Sequence, residues 1–344
     1  MNNWYIDNLV CPKTHEDLTL VGNYLVSVSG RRYPVVDGIP VMLLDDEEQT
    51  MGVAYESLIS ANDVASGKRS SDDFFVDTLG INESARENLS DFIKHGDSAI
   101  DPVVAYMIGA TNGMAYQHLV GKLKEYPFPE IRLPASNGEL LIDIGCNWGR
   151  WCIAAALKGY SAIGIDPSLG AILAARRVSE KLELNVKYVV ADARYMPFRN
   201  SAVDVVYSYS VIQHFSSENA RKAIFEIGRV LKSGGKSLVQ MPTKFGIRCM
   251  YHQIRRKFRE PVNFEVRYWT LPNLKRIFQN SVGETKFSVD CFFGIGLQAS
   301  DLRLMPTAIR MAIRMSEALR KLSLNLYPLV FLADSVFVSS KKPN

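Results

Sequence analysis

Six residues have the types and spacing for chemistry: Asp143, Asp166, Asp192, Gly145, Gly149 and His214. Gly145 and Gly149 frame a turn in "LLIDIGCNWGRW", between an apolar run and the alanine-rich "CIAAALKGY". A strand, a tight loop and a helix start, in that order, bring backbone close to a ligand, because glycine lacks a Cβ. The same arrangement aims unpaired helix N–H groups at an anionic part of that ligand. Asp166 ends the next apolar run, 21 residues after Gly145, with Pro167 behind it. A carboxylate there can accept from both hydroxyls of a ribose. Asp192 closes the strand in "VVADAR", where it can accept from an adenine amino group. His214, in "SYSVIQHF", reads either as a general base for a substrate hydroxyl or as a cap and packing residue.

Each of these positions also has a structural reading. The glycines could serve strand–helix packing, Asp166 could cap a helix opening at Ser168, and Asp192 could steady the turn "ARYMP". The loop itself, Gly145-Cys146-Asn147-Trp148-Gly149, departs from G-x-G-x-x-G and has no middle glycine to admit a pyrophosphate. That counts against a dinucleotide and leaves another adenosine ligand.

The elements that must hold these residues alternate from Leu140 onward. "LLIDIG", "SAIGIDP", "NVKYVVAD", "AVDVVYSYS" and "SLVQMP" read as strands, with the helices "SLGAILAARRVSEKL" and "NARKAIFEIGRVL" between them and "KSGG" as a turn. Apolar runs interleaved with amphipathic helices specify a doubly wound α/β fold around a mostly parallel sheet. Before this, "INESARENLSDFIKHG" is predicted to be a helix capped by Asn82. "DPVVAYMIGATNGMAYQHLVGKLKEY" is predicted to be a second, capped by Asp101 with Pro102 at its first position. After Pro242 come a basic segment, a helix entered through Thr270 and Pro272, a strand "TKFSVDCFFGI", a helical insertion and a last strand "DSVFVSSKK".

Residues from about 138 to 242 resemble the class I S-adenosylmethionine-dependent methyltransferases of the small-molecule branch, whose pattern runs DIGCGxG, GxD, D and FD, with LKPGG before strand five. The resemblance implies S-adenosylmethionine as cofactor and a seven-stranded sheet. It also implies that Gly145, Cys146, Asn147 and Gly149 line the methionyl part, with Asp143 supporting the loop. Asp166 and Pro167 would meet the ribose, Asp192 and Ala193 the adenine, and Tyr209 would lie under the sulfonium. Asn147 stands where the family has glycine, which either narrows the loop or places Asn147 in the left-handed region that asparagine tolerates.

The first 48 residues, through "NLVCPKTHEDL" and "YPVVDGIPVMLLDDE", resemble the small zinc-binding activator of certain tRNA and release-factor methyltransferases. Cys11 and His15 are two potential ligands where structural zinc takes four, so the resemblance predicts that fold without the metal. The resulting organisation is a small β-rich domain over 1–48, a linker and helical lead-in over 49–136, and a methyltransferase domain over 137–344. Segments 243–269 and 298–332 would be lids.

At 344 residues, 47% apolar, the chain can bury a large core. A net charge of +4 is too mild to imply nucleic acid. Five scattered cysteines suggest reduced thiols in a cytosolic protein. The basic residues from Lys244 to Arg259, with Arg303, Arg310, Arg314, Arg320 and Lys321, read in either of two ways. They recognise an anionic acceptor or touch a membrane surface, or they are solvated faces paired with acids near 45–48 and 72–77. Arg255, Arg267, Tyr268 and Trp269 are the candidate acceptor residues. The sequence thus points to methyl transfer onto an oxygen or nitrogen of a small molecule. Alternatives are an rRNA or tRNA methyltransferase and a non-catalytic cofactor-binding scaffold. No oligomeric state follows.

Overall fold

Asp37 and Gly38 both have positive φ, 48° and 79°, the pair of left-handed residues that closes a two-residue hairpin. This turn joins the last two strands of an antiparallel sheet at the start of the chain. A computed structural model describes residues 3–72, 74–111 and 114–344. The chain divides into two compact units, Met1–Ala202 and Val203–Asn344.

In the first unit, helix α1 (Asn3–Asn8) precedes strands β1 (Leu18–Val21), β2 (Tyr24–Ser27), β3 (Arg32–Val36) and β4 (Ile39–Pro40), which pair in sequence order. Three helices follow: α2 (Gly52–Ala65), α3 (Glu83–His95) and α4 (Pro102–Thr111). Then come β5 (Leu140–Ile144), α5 (Arg150–Ala156), β6 (Ser161–Asp166), α6 (Leu169–Lys181) and β7 (Lys187–Val190), with β5, β6 and β7 parallel. The small N-terminal sheet is tied to β7: Met42 N–H donates to the Val190 carbonyl at 2.7 Å and the Tyr5 hydroxyl to that of Tyr188 at 3.0 Å. Cys11 Sγ shares a 3.0 Å hydrogen bond with the Tyr33 hydroxyl.

The second unit runs β8 (Val203–Ser208), α7 (Ser217–Val230), β9 (Leu231–Pro242), α8 (Ile247–Arg255), α9 (Leu271–Ser281), β10 (Glu284–Cys291), α10 (Thr307–Ser323) and β11 (Ser335–Lys341). Strand order is β10-β11-β9-β8-β5-β6-β7 in one seven-stranded sheet. Strand β11 is antiparallel to both β9 and β10, so the sheet is mostly parallel. Among the described residues no helix is long and apolar enough to cross a membrane.

Three expectations fail. The linker expected to open 49–136 is folded in its described part: it contributes α2, a 3-10 turn (Val76–Thr78) and the fully buried Phe75. Within it Ser57 and Thr78 are buried and serve the start of α6. Leu169 N–H donates to Ser57 Oγ at 3.0 Å and Gly170 N–H to Thr78 Oγ1 at 2.8 Å. Ala171 N–H donates to Ser168 Oγ at 3.2 Å, so three N–H groups that a helix start leaves orphaned are all paired. The long helix expected from Pro102 ends at Thr111. Residues 114–119 form a 3-10 turn and Gly121 has a φ of 69°; Asn112 and Gly113 lie outside the described residues. "KSGG" is no turn: β9 includes it, with a register irregularity opposite Val203–Val205 that absorbs Gly234 at a φ of 75°.

The expected caps hold. Asn82 accepts from Ala85 N–H, Asp101 Oδ1 from Val103 and Val104 N–H, and Thr270 from Asn273 N–H. The acids near 45–48 and 72–77 have local partners: Arg31 pairs with Asp46, Lys13 with Glu47, and Arg69 with Asp72 and Asp77.

Candidate active site

The loop after β5 is shaped by three left-handed residues, Gly145 (φ 71°), Asn147 (φ 47°) and Gly149 (φ 81°). Asparagine at the family's glycine position therefore takes the conformation it tolerates best among side chains. Its N–H donates to Asp166 Oδ2 at 3.0 Å, and its own Oδ1 accepts from Trp148 N–H at 2.8 Å. Gly145 and Cys146 N–H both donate to the Ile165 carbonyl, at 2.8 and 3.0 Å. Gly149 opens α5, and a Cβ there would sit 2.5 Å from the Tyr188 hydroxyl, so the loop closes against β7 only with glycine. Trp148 is buried between Tyr126 and Phe128, with ring centroids 6.0 and 6.1 Å away. That anchor comes from the lead-in segment, and no spacing in the sequence announced it.

Asp143 lies beneath the loop, 1% exposed, accepting from Cys152 Sγ at 3.3 Å on Oδ2, while Oδ1 has no partner. Burial pushes its carboxyl up to about 8, so it is neutral at pH 7. Burial also raises Asp166, to about 6, against the pull of two N–H donors, those of Ser168 (2.9 Å, to Oδ1) and Asn147. Each of its oxygens accepts one backbone bond and keeps lone-pair capacity for another, which suits a vicinal diol. Pro167 follows it, and Ser168 rather than Asp166 caps α6.

Asp192 and Ala193 follow β7, both buried. The sequence reading missed the partner of Asp192: Arg194 Nη2 reaches Oδ2 at 2.7 Å and Nε reaches both oxygens at 3.1 and 3.2 Å. Arg194 N–H adds a 2.8 Å bond to Oδ1, so this carboxylate is largely satisfied by its own turn. The near neighbour Arg194 was the available signal. Asp143, Gly145, Cys146, Asn147, Gly149, Asp166 and Pro167 come together around one loop, while Asp192 and Ala193 sit at the end of β7.

In the second unit, the Tyr209 hydroxyl donates to the buried Asp290 at 3.0 Å, which also accepts from Ser335 Oγ at 2.8 Å. His214 stacks on Phe264 with ring centroids 3.8 Å apart. Its Nδ1 donates to the Phe264 carbonyl at 2.7 Å, and Nε2, 3.2 Å from the Gln213 amide nitrogen, then accepts. Burial lowers its pKa, so the ring is neutral near pH 7.

A cavity of about 490 Å³ lies in the same unit, rimmed by the starts of α7 and α9. Arg221, Lys244, Arg256, Arg259, Arg267 and Arg276 line it, against the single carboxylate of Glu260. Arg259 is paired with Glu265, and Arg267 is spent on the carbonyls of His214, Pro261, Asn263 and Glu265. Among the described residues no carboxylate pairs with Arg221, Lys244 or Arg276. Trp269 Nε1 and Arg256 Nε are buried without partners. Of the candidate acceptor residues, Arg267, Tyr268 and Trp269 line this cavity; Arg255 instead lines a neighbouring one of about 540 Å³. Burial pushes the Tyr268 hydroxyl up to about 12. Arg221 and Arg276 carried no signal in sequence, since they lie inside two helices far apart along the chain.

Residues 141–235 match the family model of the methyltransferase domain. This segment carries a methyltransferase domain. The glycine loop and the diol-ready Asp166 fit S-adenosylmethionine as its cofactor. The chain is 31% identical over 152 residues to the tRNA (carboxymethyluridine(34)-5-O)-methyltransferase alkbh8 of Xenopus tropicalis, covering 40% of this chain and 23% of the relative. It is 32% identical over 142 residues to phosphoethanolamine N-methyltransferase 2 of Caenorhabditis elegans, covering 41% and 30%. It therefore spans less than a third of either relative. Among solved structures, the Haemonchus contortus phosphoethanolamine N-methyltransferase 2 complex with S-adenosyl-L-methionine aligns at a TM-score of 0.44 and 20% identity, over 74% of this chain and 60% of that one. The N-terminal likeness to the zinc-binding activator stays a sequence resemblance.

Proposed function

We propose that the chain is a methyltransferase that moves the methyl group of S-adenosylmethionine to an oxygen or nitrogen of a small, anionic acceptor. The observation that carries the anionic part is the cation-lined cavity, where three basic side chains lack a carboxylate partner among the described residues. The nematode relative's name, phosphoethanolamine N-methyltransferase, supports a phosphate-bearing acceptor by analogy.

When bound, the cofactor supplies an electrophilic methyl on sulfonium, open to in-line displacement. The residues of this chain would act around it by binding and orienting. Asp166 would hold the ribose hydroxyls, with Pro167 beside it. Gly145, Cys146, Asn147 and Gly149 would line the methionyl part over the neutral Asp143. Asp192 and Ala193 would border the adenine, and because Arg194 occupies the Asp192 carboxylate, backbone groups would carry more of that contact. Tyr209 is the candidate beside the sulfonium. His214, neutral near pH 7, would accept a proton from the acceptor only after giving up its Gln213 contact. Rate would come mainly from near-attack positioning and exclusion of water.

The test is transfer of labelled methyl from S-adenosylmethionine into a cell extract divided into small-molecule and RNA fractions, followed by mass analysis of the product. Label in a phosphate- or carboxylate-bearing small molecule supports the reading. Label in RNA overturns it in favour of the tRNA alternative, and absence of cofactor binding heat overturns it in favour of a scaffold.

A further inference from the structure

Helix α8 is turned inside out. Its buried residues are Cys249 and Gln253, whereas Ile247, Tyr251 and Ile254 are 55, 55 and 57% exposed. The polar side is locked inward by specific bonds: Cys249 N–H donates to Asp334 Oδ1 at 2.9 Å and Gln253 Nε2 to the Lys244 carbonyl at 2.7 Å. Positions 247, 251 and 254 follow i, i+4, i+7, so the exposed apolar residues form one stripe. Helix α10 also leaves apolar residues outside: Ile313, Ser316 and Ser323 are buried, while Met311, Met315 and Leu322 are 66, 53 and 45% exposed.

Both helices are anchored on the same connecting segment. Arg248 Nη1 donates to the Phe293 carbonyl at 3.4 Å, and Phe292 N–H donates to Ser316 Oγ at 3.0 Å. Of twenty-two exposed large apolar side chains among the described residues, fifteen fall within 245–264 and 311–332. Such a concentration on one part of a surface otherwise dominated by polar groups marks a binding face. The same two segments are cationic. Residues 244–264 hold six Lys and Arg against one Glu, and 307–332 hold four against one.

We propose that this face docks the chain on an anionic lipid bilayer, with the α8 and α10 stripes inserted among the acyl chains and the flanking cations among the headgroups. Charge decides between occupants. A second copy of the chain would bring the same excess of cations against itself, and like charges oppose that pairing. An anionic bilayer offers a negative rim above an apolar interior, matching both parts of the face. Tyr251 and Tyr327, 55 and 52% exposed, are suited to the boundary between the two. Phe258 and Arg259 lie within this cationic segment and also on the rim of the cation-lined cavity, so the docked face borders the proposed acceptor site of its own unit.

The experiment is co-sedimentation of the full chain with vesicles of phosphatidylcholine alone or mixed with phosphatidylglycerol, at low and high salt. The expected result is binding to the mixed vesicles only, weakened by salt. The triple variant Ile247→Ser, Tyr251→Ser, Ile254→Ser should lose at least about tenfold in vesicle affinity. Arg248→Glu with Lys257→Glu should lose the lipid-charge dependence, and it decides the matter if the triple variant does not fold. Absence of binding to mixed vesicles overturns the proposal, as does equal binding by the variants. A dimer in light scattering that the triple variant abolishes, without vesicle binding, assigns the face to a second copy and also overturns it. No methyl transfer enters the measurement, so its outcome is separate from that of the proposed activity.

Discussion

The loop after β5 and the cation-lined cavity of the second unit are built on opposite terms. Around the loop and the end of β7 most polar groups have partners, Gly145 and Cys146 on Ile165, Asn147 on Asp166 and Asp192 on Arg194, with Asp143 Oδ1 left over. The aspartates there are buried, and two of them are held well above the ordinary carboxylate range. In the cavity, Arg221, Lys244 and Arg276 are exposed and, among the described residues, without carboxylates, and two N–H groups have no partner there. The difference teaches how the two regions can respond to a ligand. A satisfied loop is preorganised and pays little ordering cost on binding. A cavity of unpaired cations repels itself until an anion arrives, so its occupancy should depend strongly on salt and on acceptor charge.

The largest expected effect lies in the loop. Gly149→Val puts a branched side chain at a φ of 81° and against the Tyr188 hydroxyl. Calorimetric titration should show S-adenosylmethionine binding at least about a hundredfold weaker, combining backbone strain with steric displacement of the loop. Undiminished binding would mean the loop is not the cofactor's seat. Next, Asp166→Ala removes two acceptors and should weaken the same titration by about 1.5–3 kcal/mol, the usual loss for hydrogen bonds to a charged group. Asp192→Asn should cost clearly less than Asp166→Ala, since Arg194 already consumes the Asp192 carboxylate. Equal losses would place the adenine directly on that side chain.

The cavity should yield smaller and salt-dependent changes. Lys244→Ala with Arg276→Ala should weaken binding of inorganic pyrophosphate by about 1–2 kcal/mol in low salt and much less in high salt, read by calorimetry. A salt-independent loss would point to a structural effect and blur the contrast between the regions.

The mildest change concerns pH. The Asp143 carboxyl is raised by burial from 3.8 to about 8, so the folded chain holds a proton that the unfolded chain releases. Its contribution is fully present below pH 4 and is lost as pH rises through about 8. Asp143→Asn should therefore flatten the fall of the melting temperature between pH 5 and 8, about the span of that loss. An unchanged slope would show that Asp143 is ionised in the folded protein.

Much of the first region was legible because its determinants are neighbours in sequence. Left-handed glycines, Asn147 at a family glycine position and the 21-residue step to Asp166 all act within a few residues or one strand–helix unit. The expected linker is folded instead because burial of Ser57 and Thr78 depends on α6, more than ninety residues later. The same holds for Trp148, whose aromatic partners come from the lead-in.

By itself the sequence determined the α/β alternation and the glycine loop, since periodicity and turn chemistry are local, and its resemblance to methyltransferases implied the seven strands. Only the tertiary structure decided which cations meet: Arg221, Lys244 and Arg276 come from α7, the end of β9 and α9, and no pattern in the chain links them. It also decided which side of α8 faces inward. A helix stripe is equally visible in sequence whichever way it points, and its direction is fixed by where Asp334 offers a partner to the backbone of Cys249.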